Sequence, residues 1–316
     1  MRCICERYKN DDRRSHIGCY RYDPITSHSL CPTNQYDYDV ALPLPFVVFT
    51  FRRGLKAGTV LLLVSSFLGF ILGGGVLAII PAIMFGTAGM VIGEIHRRGL
   101  SGFAVLLGAS LAYIVHILLL FVGMTLLVGQ SPMQLAADLT RDQMELVERT
   151  LGGMGQMNTE MLDEALDTLL FLAPVAIVFS GILLAIITVL LSYFVLKRLG
   201  HDVKKLPPFR HWAFPKSFLW YYLVVLIVAL IGVEEGTVMF TVVQNLMMLL
   251  GFVLTIQGFA FIFFYCHHKK VSIALPIIIV VASFILLPLI EVIRIVGIID
   301  LGFDLRKRIA GQDNRS

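Results

Sequence analysis

Glu291 and Arg294 stand three residues apart in the run "IEVIRIVGIIDLGFDLRKR". On a helix that spacing puts a carboxylate and a guanidinium on one face. Asp300 and Asp304 follow at i,i+4, on a face with Arg308. A lone charge at a membrane centre costs from about 2.5 to more than 10 kcal/mol. The run is therefore either a paired site beside a wet cavity or an interfacial helix whose charges reach water. Other polar side chains interrupt apolar runs at His116, Gln244, Asn245 and Gln257. Lipid offers them no hydrogen bond, so they are expected to face protein or water. Bonding between helices is the plain reading, at about 0.6–2 kcal/mol per bond. Contact with a bound solute is the sharper one, and it selects His116, Gln244, Asn245, Glu291 and Arg294 as candidate ligand-binding residues.

A second chemistry lies in "PPFRHWAFPK", a proline-bounded, aromatic and basic stretch. Arg210, Trp212 and Lys216 suit the headgroup region, where a basic residue attracts anionic lipid at about 1 kcal/mol. They are expected to touch lipid or to dock a cytosolic partner. No P-loop, H-E-x-x-H or G-x-S-x-G occurs, and nothing resembles a nucleophile–base set. His267 and His268 sit in a basic loop and read as an interfacial pair. The five cysteines lack the paired spacing of a zinc site. Neither enzymatic activity, a cofactor, a metal nor a nucleic-acid partner is expected.

The elements that hold these residues are membrane helices. Hydrophobic residues make up 57% of the chain and charged ones 15%, against about 45–50% and about 25% in a soluble domain. The mean hydropathy is +0.81. The apolar residues come in long runs without period-2 alternation, which excludes a β-barrel. Seven runs read as spans: Leu55–Leu72, Gly75–Glu94, Phe103–Val128, Thr168–Leu196, Phe218–Gly232, Thr237–Cys266 and Val271–Ile290. A shorter one, Ala41–Phe51, precedes them, and Glu291–Leu305 follows. The expected fold is all-α: a polytopic bundle of about seven full spans plus partial ones, with one transmembrane domain over 41–308 and a flexible tail over 309–316. Gly69 with Gly73, and Gly89 with Gly93, form G-x-x-x-G spacings suited to close helix packing.

Lys and Arg orient the bundle. Clusters at Arg52, Arg53 and Lys56, at Arg97 and Arg98, across 197–216, and at Lys269 and Lys270 alternate with a tight "GGG" at Gly73, an acidic segment over 131–167 and "VEEG" at Val233. Basic loops lie inside. Segment 131–167, with eight acids against Arg141 and Arg149, reads as an outer amphipathic helical hairpin broken at "GGMG". It is either a surface cap or a lid. Seven crossings leave the chain outside at Ile290, whereas "RKR" at Arg306 prefers the inside, so Glu291–Leu305 is expected to return as a short or re-entrant element.

The first 40 residues differ, with six basic and six acidic side chains and no apolar periodicity. Tyr36, Asp37, Tyr38 and Asp39 are encoded TAY GAY TAY GAY, and a one-base shift turns these into codons for Met, Ile or Thr. The same shift lets "CYRYDPITSHSLCP" read "AIVMILLLLILYVP", a spanning apolar run. Residues 1–40 are expected to be disordered or frame-shifted. The alternative is a genuine cytosolic Cys/His-bearing tail.

From Ala41 on, the chain resembles the YybS-like family of uncharacterised bacterial membrane proteins. The resemblance rests on "LPLPF" at Leu42, "RRGLKAG" at Arg52, "PPFRHWAFPK" at Pro207, "IQGFAFIFF" at Ile256 and "GIIDLGFDLRKR" at Gly297. It covers roughly 41–308 and implies no established activity. The chain is also distantly similar to substrate-binding subunits of energy-coupling-factor vitamin transporters, which implies capture of a small solute by a helical bundle. The expectation is a multi-pass protein of the bacterial plasma membrane that binds or moves a small solute. It has no ATPase of its own, so transport would need a cytosolic ATPase partner or an ion gradient, and a cytosolic ATPase or another protein is the candidate partner. The alternative is a non-enzymatic membrane scaffold that docks a cytosolic partner.

Overall fold

The computed structural model describes residues 4–5, 19–20, 42–150, 164, 168 and 170–313. The expected frame-shifted segment falls almost wholly outside them, apart from a two-residue antiparallel ladder pairing Ile4 with Tyr20 and Cys5 with Cys19. From Pro43 on, α-helices make up most of the described chain. Its helices are α1 (Pro43–Arg53), α2 (Leu55–Gly69), α3 (Gly75–Arg97), α4 (Gly102–Val128), α5 (Pro132–Thr150), α6 (Ala173–Arg198), α7 (Ser217–Ile231), α8 (Val238–His268), α9 (Ala274–Ile285), α10 (Leu287–Phe303) and α11 (Leu305–Asp313). α11 thus runs into the stretch expected as a tail.

Among the described residues, five helical stretches are long and apolar enough to cross a membrane: Leu55–Leu72, Ile79–Arg97, Gly102–Leu127, Ala173–Arg198 and Val238–His268. Two expected spans are shorter, α7 with 15 residues and α9 with 12. Side chains such as Leu63 and Leu230 lie 69% and 77% exposed, which is stable against hydrocarbon rather than water. The chain is an all-α polytopic membrane bundle.

The chain reverses at the expected glycines. Hydrogen bonding widens to a π-type turn over Phe70–Gly74, after which Gly86 meets Leu62 and Gly58 meets Met90. α2 and α3 are therefore antiparallel. α1 runs parallel to α3 and touches it backbone to backbone: a Cβ on Gly89 would lie 2.5 Å from the Pro43 oxygen, and one on Gly93 2.6 Å from the Val47 oxygen. α4 and α6 complete this half around Val47, Ile92, Val105, Tyr113, Val189 and Leu196.

The second half is built on α8 and α10. Gly251 faces Arg294, Gly297 faces Leu254 and Gln257 bonds Asp300. Residue numbers rise together along both helices, so they are parallel. α9 must then run the opposite way, and α9–α10 is a hairpin that enters and leaves on one side. The break falls at Leu286 instead of Ile290. Pro288 explains this: it lacks an N–H and its ring collides with a preceding carbonyl inside a helix, but it fits the first turn of a new one.

On the outer side, Ser131 and Gln134 cap α5 reciprocally, each side-chain oxygen accepting the other's backbone N–H at 2.9 and 3.1 Å. Most of the expected second arm of that hairpin lies outside the described residues. On the inner side, segment 199–216 contains one 3-10 turn, Phe209–His211, and bridges the two halves.

Candidate functional site

The five expected ligand-binding residues do not converge. His116, half-buried on α4, pairs with Thr87 Oγ1 at 2.8 Å and with the Ala112 oxygen at 2.5 Å. Asn245 is buried on α8. Its Oδ1 accepts the Val175 N–H at 3.3 Å, and its Nδ2 donates to Phe171 and Thr241 oxygens, so it fixes the start of α6. Its neighbour Gln244 is exposed and does not face protein, the first of the two surroundings expected for it. The reason is length: α8 has 31 residues, about 46 Å, against a hydrocarbon core of about 30 Å. Its first turns therefore stand in the outer interface. Glu291 and Arg294 do pair, at 2.8 Å.

A denser constellation lies at the inner ends of α8 and α10. Asp300 is 3% exposed. Its Oδ2 accepts from Arg306 Nε at 2.9 Å and from Gln257 Nε2 at 2.5 Å. Gln257 Oε1 accepts the Phe214 N–H at 3.0 Å, and Arg306 Nη1 donates to the Arg210 oxygen at 3.0 Å. The Arg306 guanidinium also covers the Phe264 ring at 5.6 Å. The buried ion pair, through Arg306, and the Gln257 bonded to it thus hold the backbone of segment 207–216 at two points. Lys216 adds a third contact through Asp304, at 2.6 Å.

The expected grouping of Asp300, Asp304 and Arg308 on one face does not form. Asp304 takes the left-handed conformation, φ 50° and ψ 47°, and ends α10. That turn folds Arg306 back onto Asp300, a pairing no straight helix offers at i,i+6.

Trp212, expected at the headgroups, is half-buried. Its Nε1 donates to the Pro207 oxygen at 3.1 Å, and its ring meets Phe103 and Phe209. It packs on the core of the first half, so the aromatic surface it offers is used internally. Gly102 confirms how closely this segment sits on α4: a Cβ there would lie 2.5 Å from the Lys205 oxygen. Arg210 is half-buried and Lys216 exposed.

Around this clamp the inner side is basic. Glu94 is buried and accepts from Arg97 and Arg98 at 2.8 Å each. Arg52, Lys56, Lys197, Lys204, Lys205, Lys269 and Lys307 are exposed. Asp202 is the exposed acid among the described side chains there. A cavity of about 250 Å³ lies between Phe209, Phe263, Cys266 and Pro276, with Arg210 and His267 in its wall. At the outer end a more open cavity of about 490 Å³ is lined by Glu164, Thr168, Phe171 and Phe240.

Comparison with known proteins shows the family. The family described as "Predicted membrane protein (DUF2232)" matches residues 31–301. "Uncharacterized protein YybS" of Bacillus subtilis (strain 168) is 33% identical over 274 residues, covering 85% of this chain and 88% of that protein. No solved structure matches, and the more distant similarity to vitamin-transporter subunits finds no support in these matches. Three stretches on which the family resemblance rested meet in the clamp: Gln257 from one, Arg210, Phe214 and Lys216 from another, Asp300, Asp304 and Arg306 from the third.

Proposed function

The chain belongs to the DUF2232 family of predicted membrane proteins, and from that premise we propose that it is a non-enzymatic scaffold of the bacterial plasma membrane that docks a cytosolic protein. The observation that carries this reading is the clamp. A loop that only anchored helices to headgroups would need lysines and aromatics, not a buried ion pair and a glutamine fixing its backbone at Arg210 and Phe214. Fixing a loop in advance removes the ordering cost a partner would otherwise meet on binding. The exposed Lys204 and Lys205, with Asp202 as the nearby acid, favour a partner with an acidic face.

The test is a photo-crosslinker placed at Lys204 or Lys205 in cells. A single soluble protein should be captured, and capture should fail when Arg306→Gln loosens the loop while the protein stays in the membrane. Crosslinks to lipid alone would sink the reading.

A second reading, solute binding or transport powered by a separate ATPase, draws on the outer cavity beside Phe171 and Phe240. Native mass spectrometry of the purified protein discriminates: a small molecule retained in stoichiometric amount favours the solute, a retained soluble protein the scaffold.

A further inference from the structure

The Glu291–Arg294 pair is left incomplete by its own chain. Glu291 is 61% exposed and Arg294 24%. Arg294 lies in a notch left by Gly251, where a Cβ would sit 3.1 Å from its Cζ. Its Nε is buried without a partner, and among the described residues it bonds Glu291 alone.

Depth sharpens the problem. The Lys216–Asp304 bridge marks the inner boundary. Ten and thirteen residues up α10, Arg294 and Glu291 stand about 15 and 20 Å above it, around the middle of a hydrocarbon core of about 30 Å. Glu291 opens onto the same face as Val292, Ile295 and Ile299, which are 53%, 54% and 39% exposed. Lipid covers the three aliphatic side chains without cost, but not a carboxylate. Glutamate is too short to reach the headgroups from that depth.

We propose that a second copy of this chain covers this face, with each Glu291 completing the other copy's Arg294. A two-fold axis along the membrane normal keeps both copies in the same orientation and brings two carboxylates and two guanidinium groups to one depth. The set is neutral and every member gains a partner. An unrelated membrane protein would have to supply a matched pair at that depth, whereas a copy supplies it by symmetry. The proposal is independent of the cytosolic docking surface, which lies at the inner ends of the helices.

The experiment is oxidative crosslinking in native membranes of differently tagged copies, with the other cysteines replaced by serine. Ile295→Cys should join the tags, and Leu63→Cys, 69% exposed on α2, should not. Glu291→Arg and Arg294→Glu, each in the Ile295→Cys background, should each lose the crosslink when expressed alone and regain it when expressed together. No crosslink at Ile295, equal crosslinking at Leu63, or a crosslink indifferent to both charge changes would overturn the proposal. Because Ile295→Cys leaves the charged pair intact, misfolding of the charge variants does not remove the test.

Discussion

Replacing Arg306 leaves the Asp300 carboxylate buried with Gln257 as its remaining side-chain partner. Breaking a buried ion pair from one side costs roughly 3–5 kcal/mol. Arg306→Gln should therefore lower the thermal unfolding temperature sharply and expose segment 207–216 to protease. Adding Asp300→Asn should recover part of the loss, since the buried charge goes with it; no recovery would mean that Arg306 acts through Phe264 and the Arg210 oxygen instead. Lys216 and Asp304 behave differently because both are partly exposed. Lys216 holds the Asp304 carboxyl below its ordinary range, against a smaller opposing effect of desolvation. A depressed carboxyl contributes stability above its unfolded pKa, near 3.9, and loses it as pH falls through the folded value. The gap in unfolding temperature between the protein and Lys216→Gln should thus be steady from neutral pH to about 4 and close in stronger acid. A gap that persists there would assign the effect of Lys216 to something other than this bridge.

Glycines decide which helices touch. A Cβ on Gly297 would meet the Leu254 oxygen and the Gly258 nitrogen, and one on Gly258 would collide with the Ile293 oxygen. Backbone cannot step aside as a flexible side chain can, so Gly258→Ala or Gly297→Ala should force α8 and α10 apart at a cost of about 1–3 kcal/mol. Gly123→Ala, with nothing within 4 Å, should be neutral or stabilising by up to about 1 kcal/mol. Equal behaviour of the three in a thermal unfolding series would refute the close contact. The long elements were legible in the amino-acid order because twenty apolar residues in a row are a one-dimensional signal. The turn at Gly73 and the caps of basic residues were legible for the same reason. The pairing of Asp300 with Arg306 was not, because it depends on one left-handed residue, Asp304, whose conformation no spacing announces. Nor was the clamp on segment 207–216, since it grips a backbone oxygen and a backbone N–H, which every residue type carries. The internal contacts of Trp212 were not legible either, because an amphipathic ring suits an interface and an internal contact equally.

At the scale of the whole molecule, topology links the clamp to the membrane. Counting apolar runs leaves the side of the C-terminus open, because α9 is too short to settle whether it crosses. Packing settles it within the fold. α10 runs parallel to α8 from Gly251–Arg294 to Gln257–Asp300, so both end on the side of His268, and Asp304 there meets Lys216 at the start of α7. Segment 199–216 and the stretch from Asp304 onward must then share a compartment, or the clamp could not close. Positive loops mark that compartment as the inside. In a background with the native cysteines replaced by serine, Asp138→Cys on α5 should react with a membrane-impermeant thiol reagent on intact cells. Lys204→Cys and Lys307→Cys should react after the membrane is opened and not before. Labelling of Lys307→Cys alone on intact cells would mean that α9 and α10 together make a single crossing, which would break the Arg306–Arg210 and Lys216–Asp304 contacts together. Inverted labelling of all three would leave the clamp intact and turn its basic face to the outside, removing the cytosolic partner from the proposed function.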